Sequence, residues 1–99
     1  DGTSMAAYGT VMIGRLADGV SVEDWMQGVK EWQEARQVDG FSGEYTFLAD
    51  DGRLISCVIF ESKEKYLALA DDAEQDRWWN EKARPQLAAD PEWIDGIWP

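Results

Sequence analysis

Six tryptophans, three tyrosines and one asparagine carry most of the chemistry that this sequence could perform, because histidine is missing and cysteine occurs once. Trp25 and Trp32 stand seven residues apart, and Trp78-Trp79 are adjacent and followed by Asn80. Indole rings suit flat apolar ligands, and an amide beside them can polarise a carbonyl. Tyr45 and Tyr66 add phenolic hydroxyls able to donate to an oxygenated ring. Trp25, Trp32, Tyr66, Trp78 and Asn80 are therefore the candidate lining of a small-molecule pocket. Each also has a plainer use. At helical spacing Trp25 and Trp32 make a core stripe, a tyrosine can pack half-buried, and an asparagine on a helix usually faces water.

Without histidine the commonest general base is lost, together with His-containing triads, His-ligated haem and the usual zinc sites. Proton abstraction then falls to a carboxylate, Glu44 or Asp95 where burial makes it a base, or to the substrate itself. Asp71, Asp72, Glu74 and Asp76 cluster, but they lack EF-hand spacing and its glycine, and acids at a helix start favour the helix dipole. No metal is expected. Arg15, among apolar neighbours, either clamps an anionic ligand group or snorkels toward Asp18 or Glu23. Cys57 reads as a small buried hydrophobe, with no flanking cation to activate it.

The bulk properties narrow the partners. At 99 residues there is room for one domain and one modest core, and 44% hydrophobic residues exclude a disordered chain. A net charge of −11 disfavours both nucleic acid and anionic lipid. The single cysteine fits a reducing compartment, so a cytoplasmic location is expected, and no segment reads as a signal peptide or membrane span. Residues 1–4 precede Met5 and read as an expression remnant, leaving 5–99 as the domain.

Something must position those side chains, and the pattern shows what. Tyr8 to Leu16 is β-branched and apolar, hence a strand. Ser21 and Asp24 form a capping box, flanked by Val20 and Trp25 as a hydrophobic staple. The helix that follows carries Val22, Trp25, Val29, Trp32 and Arg36 as one stripe, with Gly28 marking a close approach to a strand. From Phe41 to Leu48, Phe41, Tyr45 and Phe47 alternate with Ser42, Glu44 and Thr46, a strand with unlike faces. Asp50-Asp51-Gly52 is a hairpin turn. Arg53 to Glu61 is nearly all apolar, as in a central strand. Ser62 caps a second helix, Lys63 to Ala70, which Asp71-Asp72 interrupts before a helical stretch running to Arg84 and ended by Pro85. There Trp79 shares a face with Ala83 and Leu87, as a core residue would. Trp78 shares its side with Glu74 and Lys82, and needs a pocket or an interface to explain it. Trp93 to Trp98 closes as a strand.

The element order βαββαβ gives a ferredoxin-like α+β fold, an antiparallel four-stranded sheet with two helices on one face. The other face is left bare, and the third strand presents Leu54, Val58 and Phe60 to one side and Ile55, Cys57 and Ile59 to the other, neither set polar enough for water. A homodimer through the sheet face is expected, against a monomer whose extra tryptophans fold over the sheet.

Two short motifs resemble a known family. Asp39-Gly40-Phe41-Ser42-Gly43 is similar to a proline-glycine-phenylalanine strand opening, with Asp39 where the proline stands. Val58-Ile59-Phe60-Glu61-Ser62-Lys63-Glu64 is similar to a tryptophan-glutamate-serine strand exit, with Phe60 where the tryptophan stands. With the element order they resemble the dimeric α+β barrel superfamily, and within it the antibiotic biosynthesis monooxygenase-like and stress-responsive domains. The resemblance implies a dimer with one small-molecule pocket per protomer, between sheet and helices. It implies either cofactor-independent oxygenation of a small aromatic or apolar substrate, isomerisation of a small substrate, or ligand binding without catalysis. No cofactor is implied. The haem-degrading branch, which uses a helix histidine, does not fit a chain without one.

Overall fold

The computed structural model describes residues 6–99; the expectation for residues 1–4 lies outside them. The elements are β1 (Ala7–Arg15), α1 (Val22–Arg36), β2 (Phe41–Leu48), β3 (Arg53–Phe60), α2 (Lys63–Ala70), α3 (Ala73–Trp78) and β4 (Glu92–Trp98). The four strands form one antiparallel sheet in the order β2-β3-β1-β4, the ferredoxin-like arrangement.

Local chemistry explains the boundaries. Ser21 Oγ accepts from Asp24 N at 3.1 Å, and Asp24 Oδ2 accepts from Ser21 N at 3.1 Å, so the capping box starts α1 as expected. Gly40, at φ +82°, makes the turn into β2, where a Cβ would stand 2.5 Å from the Lys65 Cβ. Gly52, at φ +93°, supplies the left-handed residue of the β2–β3 hairpin. The second crossover is broken at the acidic pair: Asp71 closes α2, and Asp72 Oδ1 accepts from Glu74 N at 2.8 Å to start α3.

Even-numbered residues of β1 and β3 face the helices and hold the core. Met12, Leu54 and Phe60 are fully buried there, joined by Trp25 from α1 and by Ala83 and Leu87 after α3. Odd-numbered residues face the other way. That second face, with Val11, Ile13, Ile55, Cys57 and Ile59 half-buried across its centre, has no layer of the described residues over it.

Strand β2 departs from the simple alternation. Phe41 pairs with Phe60, Gly43 with Ile59 and Glu44 with Val58, so Ser42 is an extra residue, a bulge. The phase reverses at that point. Phe41 packs with the helices, whereas Tyr45 and Phe47 turn to the bare face, 67% and 61% exposed. The expected common face for Phe41, Tyr45 and Phe47 is thereby corrected, and Glu44 goes inward.

Two further corrections concern single residues. Gly28 has nothing near the position of a Cβ, so it marks no strand approach. Arg15 reaches neither Asp18 nor Glu23; its Nη1 donates to the Asp51 carbonyl at 2.8 Å and ties β1 to the hairpin.

Candidate functional site

The sheet's inner face is not filled by the helices. A cavity of about 390 Å³ remains between them, within the size range of small-molecule sites. Its floor is made by Thr10 and Met12 of β1, Glu44 of β2, and Ser56 and Val58 of β3. Glu44 reaches this floor only because of the Ser42 bulge. One of its oxygens, Oε2, accepts from both neighbouring hydroxyls, Thr46 Oγ1 at 2.5 Å and Ser56 Oγ at 2.6 Å. Such a carboxylate is fixed in place by two short donors, and its second oxygen is engaged by neither.

The walls are aromatic. One runs as a chain of rings, Trp78–Trp32–Phe41–Phe60–Tyr66, each centroid 5.3 to 5.9 Å from the next. The other joins Trp25 to Trp79 edge-on at 6.5 Å, and Trp79 to Trp93 at 5.1 Å. These are edge-to-face and tilted geometries that aromatic quadrupoles favour. Both members of the Trp78-Trp79 pair line the cavity. As adjacent helical residues they point about 100° apart and so face different parts of the lining, and beyond them α3 passes into a π turn over Trp79–Ala83. Trp79 packs against the core residues Ala83 and Leu87, the face that the helical spacing predicts.

Polar contacts lock the walls. Gln75 Oε1 accepts from the Trp32 indole N–H at 2.7 Å and from Arg36 Nη1 at 3.0 Å. Arg36 also pairs with Asp72 at 2.9 Å, and this guanidinium holds the Asp72 carboxyl below the usual carboxylate range. The acidic cluster thus serves helix capping and wall bracing. On the other side, Tyr66 Oη donates to Asp95 Oδ1 at 3.0 Å. Burial, and then the Asp95 carboxylate, push the Tyr66 phenol up to about 12. Trp25 Nε1 is buried without a hydrogen-bond partner among the described residues.

The fold has counterparts among solved structures. A monooxygenase from the gene ActVA-Orf6 of Streptomyces coelicolor, in complex with the ligand nanaomycin D, superposes with a TM-score of 0.68 at 14% identity, covering 96% of this chain and 89% of its own. A Bordetella bronchiseptica protein assigned as an antibiotic biosynthesis monooxygenase gives 0.74 at 14% identity, over 92% and 95% of the two chains. This chain has the antibiotic biosynthesis monooxygenase-like fold. Hydroxynitrile lyase from Passiflora edulis shares it too, with a TM-score of 0.69 at 12% identity over 96% and 95% of the two chains. No family model and no curated protein matches the sequence. At such identities the likeness speaks to fold alone.

Within this monooxygenase-like fold, the residues singled out from sequence divide clearly. Trp25, Trp32, Tyr66 and Trp78 all line the one cavity. Asn80 does not: it sits exposed on the π turn, its amide 3.4 Å from Asp76 Oδ2, the plainer of the two uses expected of it. Of the two carboxylates, Glu44 lies on the floor, while Asp95 lies at the edge behind the Tyr66 hydroxyl. Ser56 and Thr10, both buried floor hydroxyls, carry no signal in the sequence, because a lone Ser or Thr in a strand makes no pattern. The Gly43 inside β2 was the available sign of a bulge, since glycine in a strand interior often marks one.

Proposed function

We propose that this chain is a homodimeric small-molecule-binding protein whose cavity takes a small aromatic molecule, with Glu44 as the proton acceptor of a cofactor-independent oxygenation. The observation that carries this reading is a fixed carboxylate on the floor of a tryptophan-walled cavity. A phenolic or enolic substrate lying between the walls gives a proton to Glu44, and the electron-rich ring that results reacts with dioxygen. For a ring methylene the balance is simple. Two C–H bonds are replaced by one C=O bond, dioxygen is the oxidant, and its second atom leaves as water with the proton returned from Glu44. The aromatic walls supply desolvation and orientation. The ligand-bound Streptomyces monooxygenase supports this reading by its shared fold.

Homodimerisation is supported by the bare sheet face. Tyr45, Phe47 and Ile94 are at least half exposed there, around a half-buried aliphatic centre. A two-fold axis lets such a patch cover itself. No described helix is long and apolar enough to cross a membrane, and the half-buried Cys57 fits a reducing, cytoplasmic setting.

Equilibrium dialysis against a panel of phenols and quinones, followed by oxygen-uptake assays on those that bind, tests the whole reading. Saturable binding with oxygen consumption is the expected result. Binding without consumption would leave a ligand-binding module, and no binding at all would remove the pocket from the account. Sedimentation of an 11 kDa species at micromolar concentration would refute the dimer.

A further inference from the structure

One wall of the cavity is held by very little backbone. From Ala73 to Gln86 the chain passes from α3 through the π turn into a short 3-10 turn, where Pro85 brings no N–H of its own. Among the described residues, no backbone group from Ala73 to Pro85 bonds to the sheet or to α1. The far end of this segment is pinned. The Gln86 carbonyl accepts from Ala17 N at 2.8 Å, Ala88 N donates to the Arg15 carbonyl at 2.9 Å, and Ala83 and Leu87 are buried in the core. The near end hangs on two side chains of α1. Arg36 reaches Asp72 at 2.9 Å, Gln75 at 3.0 Å and Glu74 at 3.4 Å, and the Trp32 indole N–H shares Gln75 Oε1 at 2.7 Å. The other side-chain hydrogen bonds of the segment stay within it or reach Leu87 and Asp90 just beyond. Yet α3 supplies Gln75, Asp76 and Trp78 to the cavity lining, which Arg36 itself does not join.

We propose that α3 is a flap over the cavity, with the π turn as its hinge and Arg36 as the latch that holds it shut. The break at Asp71-Asp72 frees the other end of the flap from α2. Lifting α3 breaks the bonds to Arg36 and Trp32 and parts Trp78 from the Trp32 ring, 5.9 Å away between centroids. It leaves every strand hydrogen bond intact, and Trp79 and Ala83 stay packed at the pinned end. The way in then lies between α1 and α3. The latch is charge-assisted and therefore strong for its size, but it is made by side chains alone, so it can open without unfolding the sheet. Arg36 acts through Asp72 and Gln75 and is a positioning residue. Because the flap is shut in both the empty and the filled cavity, Arg36 sets how fast a ligand enters and leaves and not how tightly it is held. The inference rests on the cavity as a binding site and adds how that site is entered.

The test pairs a ligand-free readout with an entry rate. By NMR, the Trp32 indole N–H should exchange with solvent about tenfold faster in Arg36→Ala, while the buried Trp25 indole N–H keeps its rate. In stopped flow with N-phenyl-1-naphthylamine, a neutral apolar fluorophore, association and dissociation should both quicken by about tenfold, with Kd held within about threefold. Arg36→Lys keeps the charge but loses the fork that spans Asp72 and Gln75, and should fall between the two. Binding with unchanged rates would overturn the latch and leave the cavity standing. Equal acceleration of both indoles would overturn it too, since Arg36 would then brace the whole fold. A weaker Kd at an unchanged association rate would tie Arg36 to the shape of the filled cavity and refute a role in entry. No binding of the fluorophore would remove the aromatic pocket, and the gate with it, whichever way the indole exchange falls. Should Arg36→Ala fail to fold, Asp72→Asn keeps the helix cap and removes the charged partner, and the same rates should rise by about threefold.

Discussion

The two faces of one sheet differ more than its four strands would suggest. The inner face carries Thr10, Glu44 and Ser56, three polar residues whose hydroxyls and carboxylate bond to one another or to backbone beside a cavity. The outer face carries almost nothing polar over its centre, yet leaves Tyr45 and Phe47 more exposed than any other large apolar side chains except Ile97. Polar groups are buried where they have partners, and rings are left open where a second surface can cover them. Burial alone is therefore a poor guide to function in this molecule. The arrangement of partners is the better one.

Three changes should break this contrast. The largest effect belongs to Phe60→Ala on the inner side, since Phe60 is fully buried and touches both Phe41 and Tyr66. We expect a loss of about 3–5 kcal/mol in urea denaturation. Next comes Glu44→Gln, which should leave the fold intact but lower oxygen uptake by about 10²-fold or more, the scale of a removed general base. On the outer face, Phe47→Asp should leave the protomer folded and ligand-competent while shifting sedimentation to the 11.2 kDa species.

Two smaller effects would sharpen the contrast. The Tyr66 phenol is raised from 10.0 to about 12. A group with a raised folded pKa adds stability that is fully present below its unfolded pKa and is lost as pH climbs through the folded value. Stability should then decline between pH 10 and about 12, and Tyr66→Phe should abolish that component of the alkaline transition. In an absorbance titration, one tyrosine should ionise later than a free phenol. Least of all, Asn80→Ala should change stability by under about 0.5 kcal/mol and leave ligand binding untouched.

Much of this was legible in the sequence, for identifiable reasons. The capping box at Ser21 and Asp24, the turn at Gly52 and the stripe of Trp25 and Trp32 are local signals, decided by neighbours within one turn or one hairpin. The element order followed from them. What escaped was phase. The Ser42 bulge and the π turn after Trp78 each insert a residue into a regular repeat, and an inserted residue changes no composition and little propensity. Alternation therefore placed Phe41 with Tyr45, an error at the cavity, where regular geometry gives way to the demands of the site. Helical spacing rightly put Trp79 with Ala83 and Leu87 and gave Trp78 to the pocket, but it carried no sign of the π turn or of Trp79 lining the cavity as well. Asn80 takes the plainer of its two readings, a helix residue facing water, and Arg15 finds a partner 36 residues away in the chain that no local rule connects.

The bulge at Ser42 has a consequence for how this protein can change by descent. Substitutions along β2 alter one side chain at a time, and each stays on its own face. Loss of the single codon for Ser42 would take out only the unpaired residue, leaving Phe41 opposite Phe60 and Glu44 opposite Val58, with Tyr45 and Phe47 still on the bare face. One residue gained or lost further along β2, where no bulge takes it up, would instead turn the rest of the strand over and exchange what the cavity and the bare face receive.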